Sequence, residues 1–213
     1  VALEVGKNRL ESIGEVEEAA DLIDEYCRQL EEHDAFVHPL RPGAPQEANA
    51  SVLRPYGVFA VIAPFNFPSA LSAGPLAAAL VAGNTVVYKP AETTPLSGVL
   101  LVDLLHEAGV PGDVVNLVLG DGEVGHLLVS GGVDGVAFTG SYEVGQRLAR
   151  EFGTGGAYAR PCLTEMGGKN PTIVTATADL EAAAEGIARS AFGASGQKCS
   201  ACSRVLVEAS VHD

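Results

Sequence analysis

The residue best suited to covalent chemistry is Cys199, set between Lys198 and Ser200 in the stretch Gly193-Ala-Ser-Gly-Gln-Lys-Cys-Ser-Ala-Cys-Ser-Arg204. A thiolate attacks carbon electrophiles, and a neighbouring lysine favours that form. A helix ending just upstream pushes the other way, because its C-terminus carries partial negative charge. The glycines and small residues around the thiol leave room for a ligand to approach the backbone. Cys202 completes a C-x-x-C pair, so a redox couple and half of a zinc site remain open. Zinc needs two more ligands, and Cys27, Cys162 and the five histidines stand singly, so no metal is expected.

Two glycine-containing turns could hold phosphate. Leu119-Gly-Asp-Gly-Glu-Val-Gly125 places Gly120, Gly122 and Gly125 at the spacing of a dinucleotide fingerprint. The fingerprint also wants an acid at the end of the next strand, which here ends in Phe138-Thr-Gly-Ser141, so a plain tight turn before a helix fits equally. In Thr139-Gly-Ser-Tyr-Glu-Val-Gly145, Gly140 and Ser141 sit where a helix begins, and free backbone N–H groups there attract anions. An ordinary capping serine reads the same way. Lys89 and Glu92 follow a strand where a ribose hydroxyl would find a partner, although each alone fits a solvated loop charge.

These residues need a scaffold, and the pattern from Tyr56 onward supplies one. Strands are predicted at 58–63, 85–88, 114–118, 135–138 and 161–165. Helices are predicted at 70–82, 96–108, 123–129 and 142–152. Alternation with short links predicts an α/β fold: a doubly wound parallel, Rossmann-like sheet with ligands beyond its carboxyl ends. The loops at 64–68, 89–95, 119–122 and 139–141 are therefore the ones to inspect. After a glycine turn at 167–168, a strand at 172–175, a helix from Asp179 to about Ala194 and a strand at 205–207 read as the start of a second α/β unit. Before Tyr56, 15–32 reads as an amphipathic helix whose acids form a solvated face. Residues 38–45, with three prolines, read as a loop, and 49–54 as a short extended segment. The expected division is 1–55, an N-terminal helix and linker; 56–169, a nucleotide-binding domain; and 170–213, the beginning of a catalytic domain.

Composition narrows the function classes. The 213 residues hold 13 bases and 27 acids, a net charge of −14, and residues 1–34 alone carry eleven acids and three bases. A nucleic-acid partner needs a basic face and is not expected. No uninterrupted apolar run reaches bilayer length, so no membrane partner is expected, and no stretch reads as a secretory leader. Four scattered cysteines suit a reduced, cytoplasmic protein. Both ends read as cut, so the chain is expected to be a fragment of a longer product.

Taken together, five motifs in order resemble the aldehyde dehydrogenase superfamily: Ala63-Pro-Phe-Asn-Phe-Pro68, Tyr88-Lys-Pro-Ala-Glu92, Phe138-Thr-Gly-Ser141, Glu165-Met-Gly-Gly-Lys-Asn-Pro171 and Gly196-Gln-Lys-Cys199. The resemblance implies Cys199 as nucleophile, Glu165 as the base that activates water, and Asn66 as an oxyanion donor. It implies NAD as cofactor, held by Pro64, Phe65, Lys89, Glu92, Gly122, Gly125, Thr139, Gly140, Ser141, Gly145 and Met166. Position 65 is usually tryptophan in the family; phenylalanine keeps the apolar wall and loses the indole N–H. Glu92 favours NAD over NADP, because a carboxylate repels a 2′-phosphate. Gln197-Lys-Cys-Ser-Ala-Cys-Ser203 and the opening Glu4-Val-Gly-Lys7 most resemble the branch that oxidises glutamate semialdehyde in proline breakdown. Lys198 and Ser200 are then candidate contacts to that polar aldehyde. The resemblance further implies a homo-oligomer when full length.

Overall fold

The computed structural model describes residues 1–154, 156 and 158–212. Its centre is a parallel sheet of five strands: β3 (Val58–Ile62), β4 (Thr85–Lys89), β5 (Val115–Leu117), β6 (Gly135–Gly140) and β7 (Cys162–Met166). Their spatial order is β5-β4-β3-β6-β7, with every pair parallel. The chain therefore leaves β3 toward one edge, returns, and leaves toward the other. That reversal opens a crevice beyond the carboxyl ends of β3 and β6.

Alternation along the strands feeds two cores. Phe59, Val61 and Ala63 point to one face with Val86 and Tyr88, against Leu76 and Ala79 of α3 (Ala70–Val81) and Val102 of α4 (Pro95–Glu107). Ala60, Val136 and Phe138 point to the other, against Val129 of α5 (Gly122–Ser130) and Leu148 and Phe152 of α6 (Tyr142–Thr154). Coverage on both faces explains why β3 reads as an unbroken apolar run. The predicted doubly wound sheet is present, with element boundaries moved by no more than two residues.

The segment before the sheet departs from the sequence reading. Helix α1 (Ala2–Val5) is short, and α2 runs Arg9–Glu32, six residues earlier than the apolar stripe suggests. Asn8 and Glu11 form a reciprocal capping box that fixes this start. The expected solvated acidic face is also incomplete: Glu15 is buried beside Ala19, while Val16 is exposed. Residues expected as a loop contain strand β1 (Val37–Leu40), antiparallel to β2 (Asn49–Val52). Pro39 is tolerated because a two-stranded ribbon has only edges.

After β7 the chain forms β8 (Asn170–Val174), α7 (Leu180–Phe192) and β9 (Cys202–Val207), with β8 and β9 parallel in a separate two-stranded sheet. Asp179 caps α7 by accepting from Ala182 N at 3.1 Å.

Candidate active site

A cavity of about 990 Å³ opens at the crevice between β3 and β6. It draws on the loop after β3 (Pro64, Phe65, Asn66), the end of β4 (Lys89, Glu92), the first turns of α5 (Gly122, Gly125) and the end of β6 (Thr139, Gly140, Ser141). Met166, Gly167 and Gly168 follow from β7, and Gln197, Lys198 and Cys199 close one side. Thus the thiol and most of the predicted nucleotide contacts share one space. Three predicted residues do not line it. Gly145 packs behind the wall, where a Cβ would stand 2.5 Å from Met166 Sδ. Ser200 is exposed in the turn after Cys199. Glu165 is exposed on the edge strand β7, directly before Met166, and is not among the residues that line the cavity.

Lys89 is buried, and its Nζ donates to Pro90 O and Gly120 O, each at 2.8 Å. An ammonium has three N–H groups, so one remains for a ligand. Burial lowers the lysine pKa below its ordinary value, and the charges of Glu92 and Asp121 partly offset this. A Cβ at Gly125 would stand 3.3 Å from Lys89 Cε, so this glycine keeps the lysine's channel open.

The two candidate phosphate turns differ. Asp121 caps α5 by accepting from Glu123 N and Val124 N at 2.9 and 3.4 Å, so a carboxylate already occupies that N-terminus. At α6, Ser141 Oγ accepts from Val144 N at 3.4 Å, and among the described residues no carboxylate caps that N-terminus. The second turn is therefore the more open to an anion.

Around Cys199, Asn66 Nδ2 donates to Gln197 O at 2.7 Å, which pins the Asn66 loop to the Cys199 loop. Asn170 Nδ2 donates to Cys199 O at 2.6 Å. Gly168 permits the close approach: a Cβ there would lie 2.9 Å from Cys199 O. The turn before Cys199 winds through left-handed φ at Ala194, Ser195 and Gly196 (49°, 56° and 74°), the first two unfavourable for residues with a Cβ. Cys199 and Cys202 are both free thiols; Cys202 accepts from Thr172 Oγ1 at 3.2 Å and is turned into the β8–β9 pair. Among the described residues, no three His, Cys, Asp or Glu side chains are placed to hold a metal.

The family model for the aldehyde dehydrogenase family matches residues 1–213. The chain belongs to the aldehyde dehydrogenase family. Among curated relatives it is 44% identical over 216 residues to 1-pyrroline-5-carboxylate dehydrogenase of Anoxybacillus flavithermus, covering 99% of this chain and 41% of that protein. The Bacillus mycoides protein of the same name gives the same figures. Among solved structures, 1-pyrroline-5-carboxylate dehydrogenase from Thermus with bound NAD is similar, with TM-score 0.91 and 40% identity over 99% of this chain and 42% of that one. A Bradyrhizobium japonicum proline utilization A (PutA) variant gives TM-score 0.94 and 40% identity, covering 99% of this chain and 22% of that one. The chain thus spans about two fifths of the length of its curated relatives.

Sequence reasoning missed three residues next to this candidate site: Lys7, Glu11 and Glu15. Lys7 Nζ donates to Glu15 Oε2 at 2.6 Å, and both side chains are buried. The Asn8-x-x-Glu11 capping spacing was the available signal for where α2 begins. Glu4 caps α4 from outside, accepting from Leu96 N, Ser97 N and Ser97 Oγ. Burial raises its carboxyl pKa, but these hydrogen bonds outweigh it, and the net shift is downward.

Proposed function

We propose that the chain carries the cofactor-binding and nucleophile-bearing part of an NAD-dependent dehydrogenase that oxidises L-glutamate 5-semialdehyde, in equilibrium with 1-pyrroline-5-carboxylate, to glutamate in proline catabolism. The observation that carries this reading is the shared cavity. Cys199 and Asn66 line it together with Lys89, Glu92 and Ser141. The names of the relatives supply the substrate class.

The residues present suit NAD. Lys89 has a donor to spare beside the Glu92 carboxylate, a pair suited to ribose hydroxyls. The lightly capped start of α6 at Ser141 suits a pyrophosphate, and Pro64, Phe65, Thr139, Gly140 and Met166 form walls. Bound NAD supplies the hydride acceptor for this chemistry. In the proposed reaction the Cys199 thiolate adds to the aldehyde carbon. Asn66 Nδ2 and the Cys199 N–H receive the oxygen that gains charge; losing one such donor typically costs about 3–4 kcal/mol of barrier. Glu165 takes a proton from the water that releases the acid. It lies three residues before Gly168, which packs on Cys199 O, so no more than about 10 Å of extended strand separates the two positions. Lys198 and Ser200 flank the thiol as partners for a substrate that carries its own carboxylate. This reading includes units 56–169 for cofactor and 170–213 for the start of the catalytic part, a reduced cytoplasmic setting, and a homo-oligomer when full length.

The test completes the chain with the remaining segment of the Anoxybacillus flavithermus relative and follows NADH absorbance. Glutamate semialdehyde should exceed simple aliphatic aldehydes in kcat/KM, and Cys199→Ala should abolish turnover. Equal or reversed preference removes the substrate assignment. Turnover without Cys199 removes the nucleophile. NAD binding with no turnover on any aldehyde would leave a nucleotide-binding module.

A further inference from the structure

We propose that Glu11 and Glu15, one helical turn apart on α2, are positioning residues that hold the Cys199 loop in register with the Asn66 loop. Each carboxylate reaches one of the two loops. Glu11 Oε1 accepts from Ala194 N at 2.8 Å, at the start of the left-handed turn that delivers Cys199. Its other oxygen is engaged by Asn8 Nδ2 at 2.8 Å, within the cap of the helix itself. Glu15 Oε1 accepts from Ser69 N at 2.7 Å, directly after the loop that carries Asn66. Its other oxygen takes the Lys7 ammonium at 2.6 Å.

These contacts close a circuit. Asn66 Nδ2 bonds Gln197 O, so the two loops are tied to each other as well as to the helix. Residues four apart on a helix rise by about 6 Å on one face, which gives the circuit a rigid edge of fixed length. Phe67 lies inside the frame: Lys7 Nζ stands 3.2 Å from its ring centroid and Lys198 Nζ 5.8 Å from the same centroid. Lys198, the neighbour of the thiol, therefore shares an aromatic partner with the lysine that Glu15 neutralises.

A purely stabilising ion pair is the simpler account of Lys7 and Glu15, and energetics count against it. A buried pair is weak evidence of stability, because well-packed apolar residues of the same volume often serve as well or better. What a carboxylate provides here and an apolar residue cannot is an acceptor for Ser69 N. The left-handed conformation of Ala194 and Ser195 points the same way, since such backbone persists only where its surroundings over-determine it. The inference deepens the proposed function, because the two loops matter to catalysis only if Cys199 and Asn66 act together.

The experiment measures iodoacetamide alkylation of each cysteine in the chain by peptide mass spectrometry, with Cys27 and Cys162 as internal references. Glu11→Ala should change the Cys199 rate by about threefold or more while the references hold. Glu11→Gln keeps an acceptor for Ala194 N and should restore the parent rate. The double variant Lys7→Met with Glu15→Met keeps the burial, removes the acceptor for Ser69 N, and should fold and shift Cys199 selectively. If Gln behaves like Ala, charge rather than position is at work and the proposal fails. It fails equally if Cys199 does not move, or moves only with the references as general loosening would require. Carried into the completed chain, Glu11→Ala should lower kcat more than it raises KM. If the parent completed chain oxidises no aldehyde while the selective Cys199 shift persists, the function falls and the positioning role stands.

Discussion

The parallel sheet and the segment that carries the thiol are built differently. In the sheet, Ala60, Val61, Val86, Tyr88 and Val136 have no exposed surface, and both faces are covered by helices. In the β8–α7–β9 segment, α7 has no buried residue, and Ile173 and Leu206 are 70% and 53% exposed. The first region is held by apolar burial, which needs no partner outside itself. The second is tied to the rest by polar contacts, among them Asn66 to Gln197 and Glu11 to Ala194. The side of the cavity built on the sheet is therefore fixed by packing, and the Cys199 side is placed by hydrogen bonds.

Truncating the core separates the two regions most strongly. Phe152→Ala, at a fully buried position, should destabilise by about 3–5 kcal/mol, whereas Ile173→Ala should stay within about 0.5 kcal/mol. Urea denaturation of both variants checks this; equal costs would mean the second region has a hidden core. Next in size, Gly168→Ala forces a Cβ against Cys199 O and Asn170 and should cost about 1–3 kcal/mol, while Gly167→Ala has open space around it. Thermal melts and the Cys199 alkylation rate should both move for the first variant alone.

A smaller effect belongs to the support beneath the Asn66 loop. Tyr88 OH donates to Ser72 Oγ at 2.7 Å, and Ser72 Oγ donates to Pro68 O at 2.6 Å. Burial pushes the Tyr88 pKa up to about 12, so the phenol stays a donor throughout the working range. Tyr88→Phe should cost about 1 kcal/mol in a denaturation midpoint. No loss would show that the chain of hydroxyls does not anchor the loop.

The smallest expected effect is on acid sensitivity. The Glu4 pKa is lowered from 4.5 in the folded chain. Its contribution is therefore complete above that value and is lost as pH falls through the lower folded pKa. The stability gap between the parent and Glu4→Gln should be widest near neutrality and close as pH falls through the lowered folded pKa. A gap that stays constant into acid would remove Glu4 as the cap of α4.

The same division governs what the sequence discloses. Strands β3, β4 and β6 are legible because burial on both faces makes short apolar runs between glycine and proline punctuation. The shared cavity follows from that topology, so Asn66, Lys89 and Ser141 could be placed on adjoining loops. Glu11 and Glu15 could not be: an acid on a helix reads as solvated, and their partners lie 183 and 54 residues away. The capping role of Asp121 was equally hidden, because a glycine spacing does not say whether a side chain already fills the helix end. Strand β1 was obscured by Pro39, which argues against a central strand but not against a free ribbon.

The central claim is that one cavity holds both the cofactor-binding groups and the reactive thiol. Alkylation of Cys199, with Cys27 and Cys162 as references and with NAD titrated in, tests it most directly. Saturating NAD should alter the Cys199 rate alone, and Lys89→Ala should weaken the effect by raising the NAD concentration it needs. NAD that fails to bind, or that binds and leaves Cys199 alkylation unchanged, would contradict the account.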